Sequence, residues 1–414
     1  MYEDYLNDVG GLNANPADSE KLYVCKIKVV GVGGAGNNAV NRMISAGVKG
    51  VEFYAVNTDM QDLMMSQADV NNRIQIGKQS TKGLGAGSHP EVGEKAAEED
   101  REELEQMVEN TDLLFITAGM GGGTGTGAAP VIAKIAKEKG CLTVAVVTKP
   151  FSYEGKKHEE NARKGLQNLA KFVDTLIVVP NDKILDSLPK TTPFSEALRC
   201  ADDSLKQAIC GISDLITQPS LINIDFADVK TIIEGQGLAH MGVGRAKGEN
   251  RIVEAVRQAI SSPMIETTIE GAKGIILNIS GDKNLSVGEV SEAANLVHGV
   301  VHYGANIIFG TNTVDSLKDE VVITIIATGF TGTPAPVENF REQPAPAPRQ
   351  DAPRPYFGEQ ERFNAQNGFA EQGTDFNRPQ EPVKQPEEPA NDDVIEPEKK
   401  RDVPPFVKRL FRKK

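Results

Sequence analysis

Residues 119–127 read GMGGGTGTG: six glycines, two threonines and a methionine, set between the apolar run DLLFITA and the helix-like AAPVIAKIAKEKG. Glycine weakens both strands and helices, so this density at a strand-to-helix handover calls for a cause. In a parallel sheet, ligands bind beyond the C-terminal ends of the strands, where helix N-termini present free N–H groups and a positive dipole end. The loop lacks the Lys-Ser/Thr of a P-loop. A phosphate cradle here is therefore built from backbone amides and threonine hydroxyls, with Mg²⁺ supplying the neutralising charge.

A second glycine turn stands upstream. In GVGGAGNN, Gly31, Gly33 and Gly36 have the G-x-G-x-x-G spacing, and Asp59 follows at the end of the next apolar run. Taken alone this is the fingerprint of a dinucleotide site, and it supports an oxidoreductase as the rival reading. One pyrophosphate needs only one such turn, whereas a triphosphate laid along the sheet edge uses both. No hydride-transfer site accompanies the glycines, which favours the triphosphate.

Around these loops KIKVVGV, VEFYAV, RIQIG, DLLFITA, LTVAVVT and DTLIVVP are short apolar runs, followed by turns and helical patterns such as PEVGEKAAEEDREELEQMVE. The alternation predicts a parallel sheet covered on both faces. In ALRCADDSLKQAICGISDLIT, Leu205, Ile209, Ile212 and Ile216 fall on one stripe, which predicts a long helix between two sheets. Beyond it VKTIIEGQG, GAKGIILNISG, ANIIFGTN and EVVITIIATGF read as strands of a second, more antiparallel domain, with helices at ENRIVEAVRQAISS and SVGEVSEAANLVHGVV.

The totals bound the class. With 58 Asp+Glu against 45 Lys+Arg in 414 residues, the chain is no general nucleic-acid binder. Its four cysteines, Cys25, Cys141, Cys200 and Cys210, lack CxxC spacing and lie among apolar residues, which suits a reducing compartment. The acidic start MYEDYLNDVGG has no secretory pattern, and no apolar run approaches the roughly 18 residues of a membrane helix. Of the 23 prolines, twelve crowd between Pro334 and Pro397, a stretch without Leu, Met or Cys. Residues 331–400 therefore read as a disordered acidic linker, and DVPPFVKRLFRKK after it as a short basic segment with Phe406, Val407, Leu410 and Phe411 on one helical face. His298 and His302 are four apart but lack a third ligand, so they are read as ordinary helix histidines.

The motifs GVGGAGNNAVNRM, AVNTD, GLGAGSHPEVG, TAGMGGGTGTGAAP, TLIVVPND, NIDFADV and IIATGF are similar to the tubulin and FtsZ superfamily almost continuously from residue 26 to 330. The resemblance implies a tubulin-like α/β fold and a GTP-dependent filament protein of the bacterial division site (Z ring), cytoplasmic and beneath the inner membrane. It implies an N-terminal segment (1–25), a GTP-binding Rossmann-like domain (26–196), a core helix (197–219), a GTPase-activating domain (220–330), the linker (331–400) and a partner-binding peptide (401–414). GTP/GDP is then contacted by Gly34, Ala35, Gly36, Asn37 and Asn38 of the first loop. Gly85, Ala86 and Gly87 lie near the γ-phosphate, and Gly121, Gly122, Gly123, Thr124, Gly125 and Thr126 wrap the phosphates. Glu154 matches a sugar-binding acid, and Asp202 the residue that reads guanine, whose ring N–H and exocyclic amine suit a carboxylate. His158 stands where the family usually has Arg, and Leu198 where some members stack an aromatic on the base.

Asp225 and Asp228, three apart in NIDFADV, read either as an N-cap with a dipole-favoured acid or as a projecting pair at a turn into a helix. In the family this loop is inserted by the next subunit against the γ-phosphate. Asp225 and Asp228 then polarise or position the attacking water and Asn223 contacts the nucleotide, so a lone subunit holds half a site. The tail, residues 402–414, matches a peptide that binds membrane adaptors and division regulators. A GTP-binding but catalytically idle filament regulator is the third reading, disfavoured by the two acids.

Overall fold

The first strand, β1 (Ile27–Val32), is buried along its whole length, as a strand covered on both faces must be. Its computed structural model describes residues 25–217, 224–262, 269, 271–314 and 317–330 of the chain. The expected N-terminal segment up to residue 24, the linker, the C-terminal peptide and Asn223 lie outside them. The first half alternates: α1 (Gly33–Ser45), β2 (Glu52–Asn57), α2 (Met60–Met64), β3 (Arg73–Gln75), α3 (Pro90–Glu99), α4 (Arg101–Val108), β4 (Leu113–Gly119), α5 (Thr124–Glu138), β5 (Leu142–Lys149), α6 (Lys156–Leu169), β6 (Thr175–Pro180) and α7 (Asn181–Ser187). Then come α8 (Phe194–Thr217), α9 (Phe226–Ile233), β7 (Gly237–Lys247), α10 (Arg251–Ile260), β8 (Gly274–Gly281), α11 (Val287–His298), β9 (Asn306–Thr313) and β10 (Glu320–Thr328).

The strands form one sheet in the order β3-β2-β1-β4-β5-β6-β7-β10-β8-β9. All pairs from β3 to β6 are parallel. The two expected sheets are joined because β7 has two partners. Gly237–Ala239 pair with β6 in parallel, and the strand then runs on antiparallel to β10 from His240 to Lys247. Beyond it β10 and β8 are antiparallel and β8 and β9 parallel.

Alternation along the strands divides the core. From β1 and β4, Val30, Val32, Leu114 and Ile116 enter one cluster, roofed by α3, α5 and α6, while Ile27, Val29, Leu113 and Phe115 enter another on the opposite face. Into this second cluster α8 contributes Leu205, Ile209 and Ile212, and it also holds Ile276 of β8 and Ile326 of β10. Removing each such side chain from water contributes about 1.5–3 kcal/mol. The predicted stripe is therefore what fastens the helix across both halves of the sheet.

One expected strand is a helix. VKTIIEGQG begins inside α9, and the strand that follows is GLAHMGVGRAK. Val229, Ile232 and Ile233 are buried at helical spacing, and the Asp225 side chain caps the first turn by accepting from the Asp228 N–H. Cap and 3.6-residue burial outweigh the strand preference of four β-branched residues, Val229, Thr231, Ile232 and Ile233. PEVGEKAAEEDREELEQMVE, read as a helical pattern, forms two helices, α3 and α4, parted at Asp100.

Candidate functional site

Beyond the C-terminal ends of β1, β4 and β5 lies a cavity of about 530 Å³. Its floor is made by the two glycine turns, which close on each other: a Cβ at Gly33 would lie 2.9 Å from Gly125 N. In the first turn, a Cβ at Gly31 would meet the Gly36 carbonyl at 2.5 Å, and one at Gly36 would strike the Thr117 carbonyl. These glycines let α1 sit at backbone distance from the sheet. In GMGGGTGTG the same test separates two demands. Gly119, Gly123, Gly125 and Gly127 press on Ala35, Ala86, the Gly119 carbonyl and the Pro90 carbonyl, and Gly121 holds φ at +117°. A Cβ at Gly122 would meet nothing within 4 Å. Five glycines serve packing or backbone conformation, and Gly122 faces the open cavity.

The helix behind the loop, α5, starts at Thr124 with no side-chain cap on Gly123. Its N-terminal amides and dipole are directed to the cavity, as anion binding requires. Thr124 Oγ1 lies 2.6 Å from Thr58 Oγ1, and Thr126 Oγ1 accepts from Gly121 N at 2.8 Å. Those bonds hold the loop in shape.

Of the sequence-predicted residues, Gly34, Ala35, Asn38, Gly85, Ala86, Gly87, Gly122, Gly123, Thr124, Gly125, Glu154 and Asp202 line the cavity. Gly36 and Asn37 are buried behind its wall, as is Thr126, and Gly121 backs onto the His158 carbonyl. His158 Nδ1 lies 3.0 Å from Glu154 Oε2, so it bears on the lining acid rather than on the space itself. Leu198 forms part of the wall on α8, beside Ala201, Asp202 and Leu205. Asp202 accepts from Arg42 Nε at 2.8 Å; burial raises its pKa and Arg42 pulls it back.

Sequence reading missed Asn57, Asp62, Ser88, Thr148, Pro150, Phe151 and Asn181, all in the lining, and Arg42 behind it. Asn57, Thr148, Pro150 and Asn181 sit at or just past the ends of β2, β5 and β6. The rule that ligands lie beyond parallel-strand termini would have pointed to them. Asn181 is 7 % exposed and its Oδ1 has no hydrogen-bond partner, which fits an N–H donor of a base. Among the described residues the lining contains four acids, Asp59, Asp62, Glu154 and Asp202, and neither lysine nor arginine. Among the described residues no group of three or more His, Cys, Asp or Glu is placed to hold a metal. That donor set fits a Mg²⁺ held chiefly by phosphate oxygens and water, with carboxylates beside it.

Asp225 and Asp228 are exposed and lie elsewhere. From Asp202 to Thr217, α8 spans about 22 Å. At its far end Thr217 packs on Gly50, just ahead of β2. The segment returns where the Ile233 carbonyl accepts from Thr175 Oγ1 at 2.6 Å, at the first residue of β6. Both anchors lie at the N-terminal edge of the parallel strands, opposite the cavity.

Comparison with known proteins decides the family. Residues 26–189 match the model of the Tubulin/FtsZ family GTPase domain, and residues 237–331 that of the FtsZ family C-terminal domain. The chain belongs to the tubulin/FtsZ family. A solved FtsZ dimer from M. jannaschii is 41% identical, with a TM-score of 0.72 over 79% of this chain and 92% of that one. CetZ1 from Haloferax volcanii, a GDP-bound monomer, is 24% identical (TM-score 0.65, 76% and 97% covered), and CetZ2, a GTPγS-bound protofilament, 21% (0.63, 77% and 98%). Those two carry the fold alone. This FtsZ-family protein is a GTPase with a tubulin-like fold, and the oxidoreductase reading falls. Among its described residues no helix is long and apolar enough to cross a membrane.

Proposed function

We propose that this GTPase polymerises head to tail into cytoplasmic filaments at the bacterial division site, hydrolysing GTP at each junction. The observation that carries the reading is the separation just described: the phosphate cradle opens at one edge of the sheet, and the paired acids project from the other. An open head-to-tail contact brings the two together and repeats without closing. The FtsZ dimer among its structural relatives supports self-association.

In this reading the loop amides and α5 bind the β- and γ-phosphates, Thr124 adds its hydroxyl, Glu154 meets the ribose, and Asp202 with Asn181 reads the guanine. Mg²⁺, when bound, neutralises the charge that develops on the transferred phosphoryl group. Asp225 and Asp228 of the adjoining subunit orient the attacking water and take up its proton, while Asn223 contacts the nucleotide. Asp225 uses one carboxylate oxygen to cap α9, accepting from Asp228 N at 2.7 Å, which fixes its direction. Loss of the γ-phosphate removes charge from the junction and weakens it. The chain is read as residues 26–196 binding nucleotide, 197–219 as core helix and 220–330 as activating domain.

The test is GTP turnover measured with sedimentation across a concentration series. Specific activity rises above a threshold that coincides with pelleting, and Asp225→Ala binds GTP with a turnover of a few per cent. A flat activity curve, or normal turnover by Asp225→Ala, would refute a shared site. Residues 402–414, in whose sequence Phe406, Val407, Leu410 and Phe411 recur at helical spacing among basic residues, suit a groove on a membrane adaptor or division regulator. Deleting them leaves GTP turnover intact and abolishes adaptor capture in a pull-down; retained capture would remove that role.

A further inference from the structure

Arg42 lies in the last turn of α1, about 14 Å along the helix from Gly33, and it does not line the cavity. It is out of reach of a phosphate bound at the glycine turns. Its guanidinium instead crosses to α8, where Nε donates to Asp202 Oδ2 at 2.8 Å. The two side chains are 33% and 16% exposed. Within α8 the carboxylate shares the wall with Leu198, Ala201 and Leu205, and the neighbouring acid Asp203 is engaged by Lys206 at 3.2 Å. Among the described residues Arg42 is thus the cation that meets Asp202.

We propose that Arg42 is a positioning residue for base selection, holding the Asp202 carboxylate ionised and oriented so that both its oxygens can accept from one purine edge. The proposal rests on the reading of Asp202 as the guanine-recognising acid. Its chemistry follows from counting lone pairs. A carboxylate offers about four acceptor sites, and the single bond from Arg42 Nε leaves the rest for the N1–H and C2 amine of guanine. A protonated acid in the same apolar wall would give up one of those sites to a proton, and burial favours that neutral form. A carboxylate that can rotate would still meet one donor, but it would lose the pair. Arg42 therefore matters most for the second donor, the C2 amine that separates guanine from hypoxanthine.

An ordinary tie between α1 and α8 would behave differently, because loosening the wall weakens every purine nucleotide alike. The experiment measures dissociation constants for GTP and ITP with Mg²⁺ on full-length protein kept below its assembly threshold, for wild type, Arg42→Ala and Arg42→Lys. In Arg42→Ala, GTP affinity falls about tenfold while ITP affinity changes less than about threefold, as loss of an oriented charged acceptor predicts. Lysine restores the charge and recovers most of the preference. Equal losses for both nucleotides, or an unchanged GTP-to-ITP ratio in Arg42→Ala, would overturn the proposal and leave Asp202 as the reader. Wild-type protein that binds GTP and ITP equally would overturn both.

Discussion

Gly122 and Gly127 stand five residues apart in one loop and answer to different demands. A methyl group at Gly127 would be driven into the Pro90 carbonyl at the start of α3, with no flexible side chain able to yield. Gly127→Ala is expected to cost about 3 kcal/mol, the upper end of overpacking penalties, and to lower the melting temperature. Gly122→Ala meets nothing and needs no left-handed backbone, so its melting temperature stays within the scatter of surface changes, while GTP affinity drops at least about tenfold. Calorimetry and nucleotide titration on the two variants check this; matching behaviour would erase the distinction. The sequence announced that this loop was special, but the role of each glycine depends on Ala35, Ala86 and Pro90, which reach it only through the fold. Arg42 escaped for a related reason: a lone arginine in the last turn of a helix is tied to the site only through Asp202 on another helix, whereas Asn181 could have been found from its place just past β6.

Whole elements were legible where burial follows one period. Strands of the parallel half, buried on both faces, stand out as apolar runs, and α8 shows its stripe. VKTII defeated that reading because its side chains satisfy either period; what decides is the Asp225 carboxylate, one of whose two sequence readings is an N-cap, accepting from the Asp228 N–H at the start of the helix. On α8 burial also raises Asp214 to about pH 6. Its folded-state value thus exceeds the ordinary 3.8, so ionisation penalises the folded form. The penalty is complete above about 6 and vanishes as pH falls towards the unfolded value. Asp214→Asn should therefore melt higher than wild type at pH 7.5, with the gap narrowing steadily at pH 5 and below. A gap that widens on acidification would mean the carboxylate is stabilised by a partner.

At the scale of the whole molecule the cavity edge is marked by its surface. Of the ten large apolar side chains most exposed among the described residues, seven (Met60, Met64, Met65, Leu84, Tyr153, Phe194 and Leu198) belong to segments bordering the cavity. Clustered exposed apolar groups of this kind mark contact surfaces. With Met64 and Met65 at 69% and 80% exposure, changing both to Asp should leave monomer GTP binding intact and raise the assembly threshold at least about tenfold. Light scattering during dilution measures that threshold, and an unmoved one would exclude this rim from the junction. The architecture was legible as two lobes and a helix, but the sharing of β7 was not, since a strand's change of partner leaves no trace in its own residues. Among the described residues the cavity's lining holds four carboxylates and no lysine or arginine. In the proposed filament, a polyanion seated there would borrow its counter-charge from the surrounding electrolyte, and the ionic make-up of the medium would set how long each link in a chain of subunits survives.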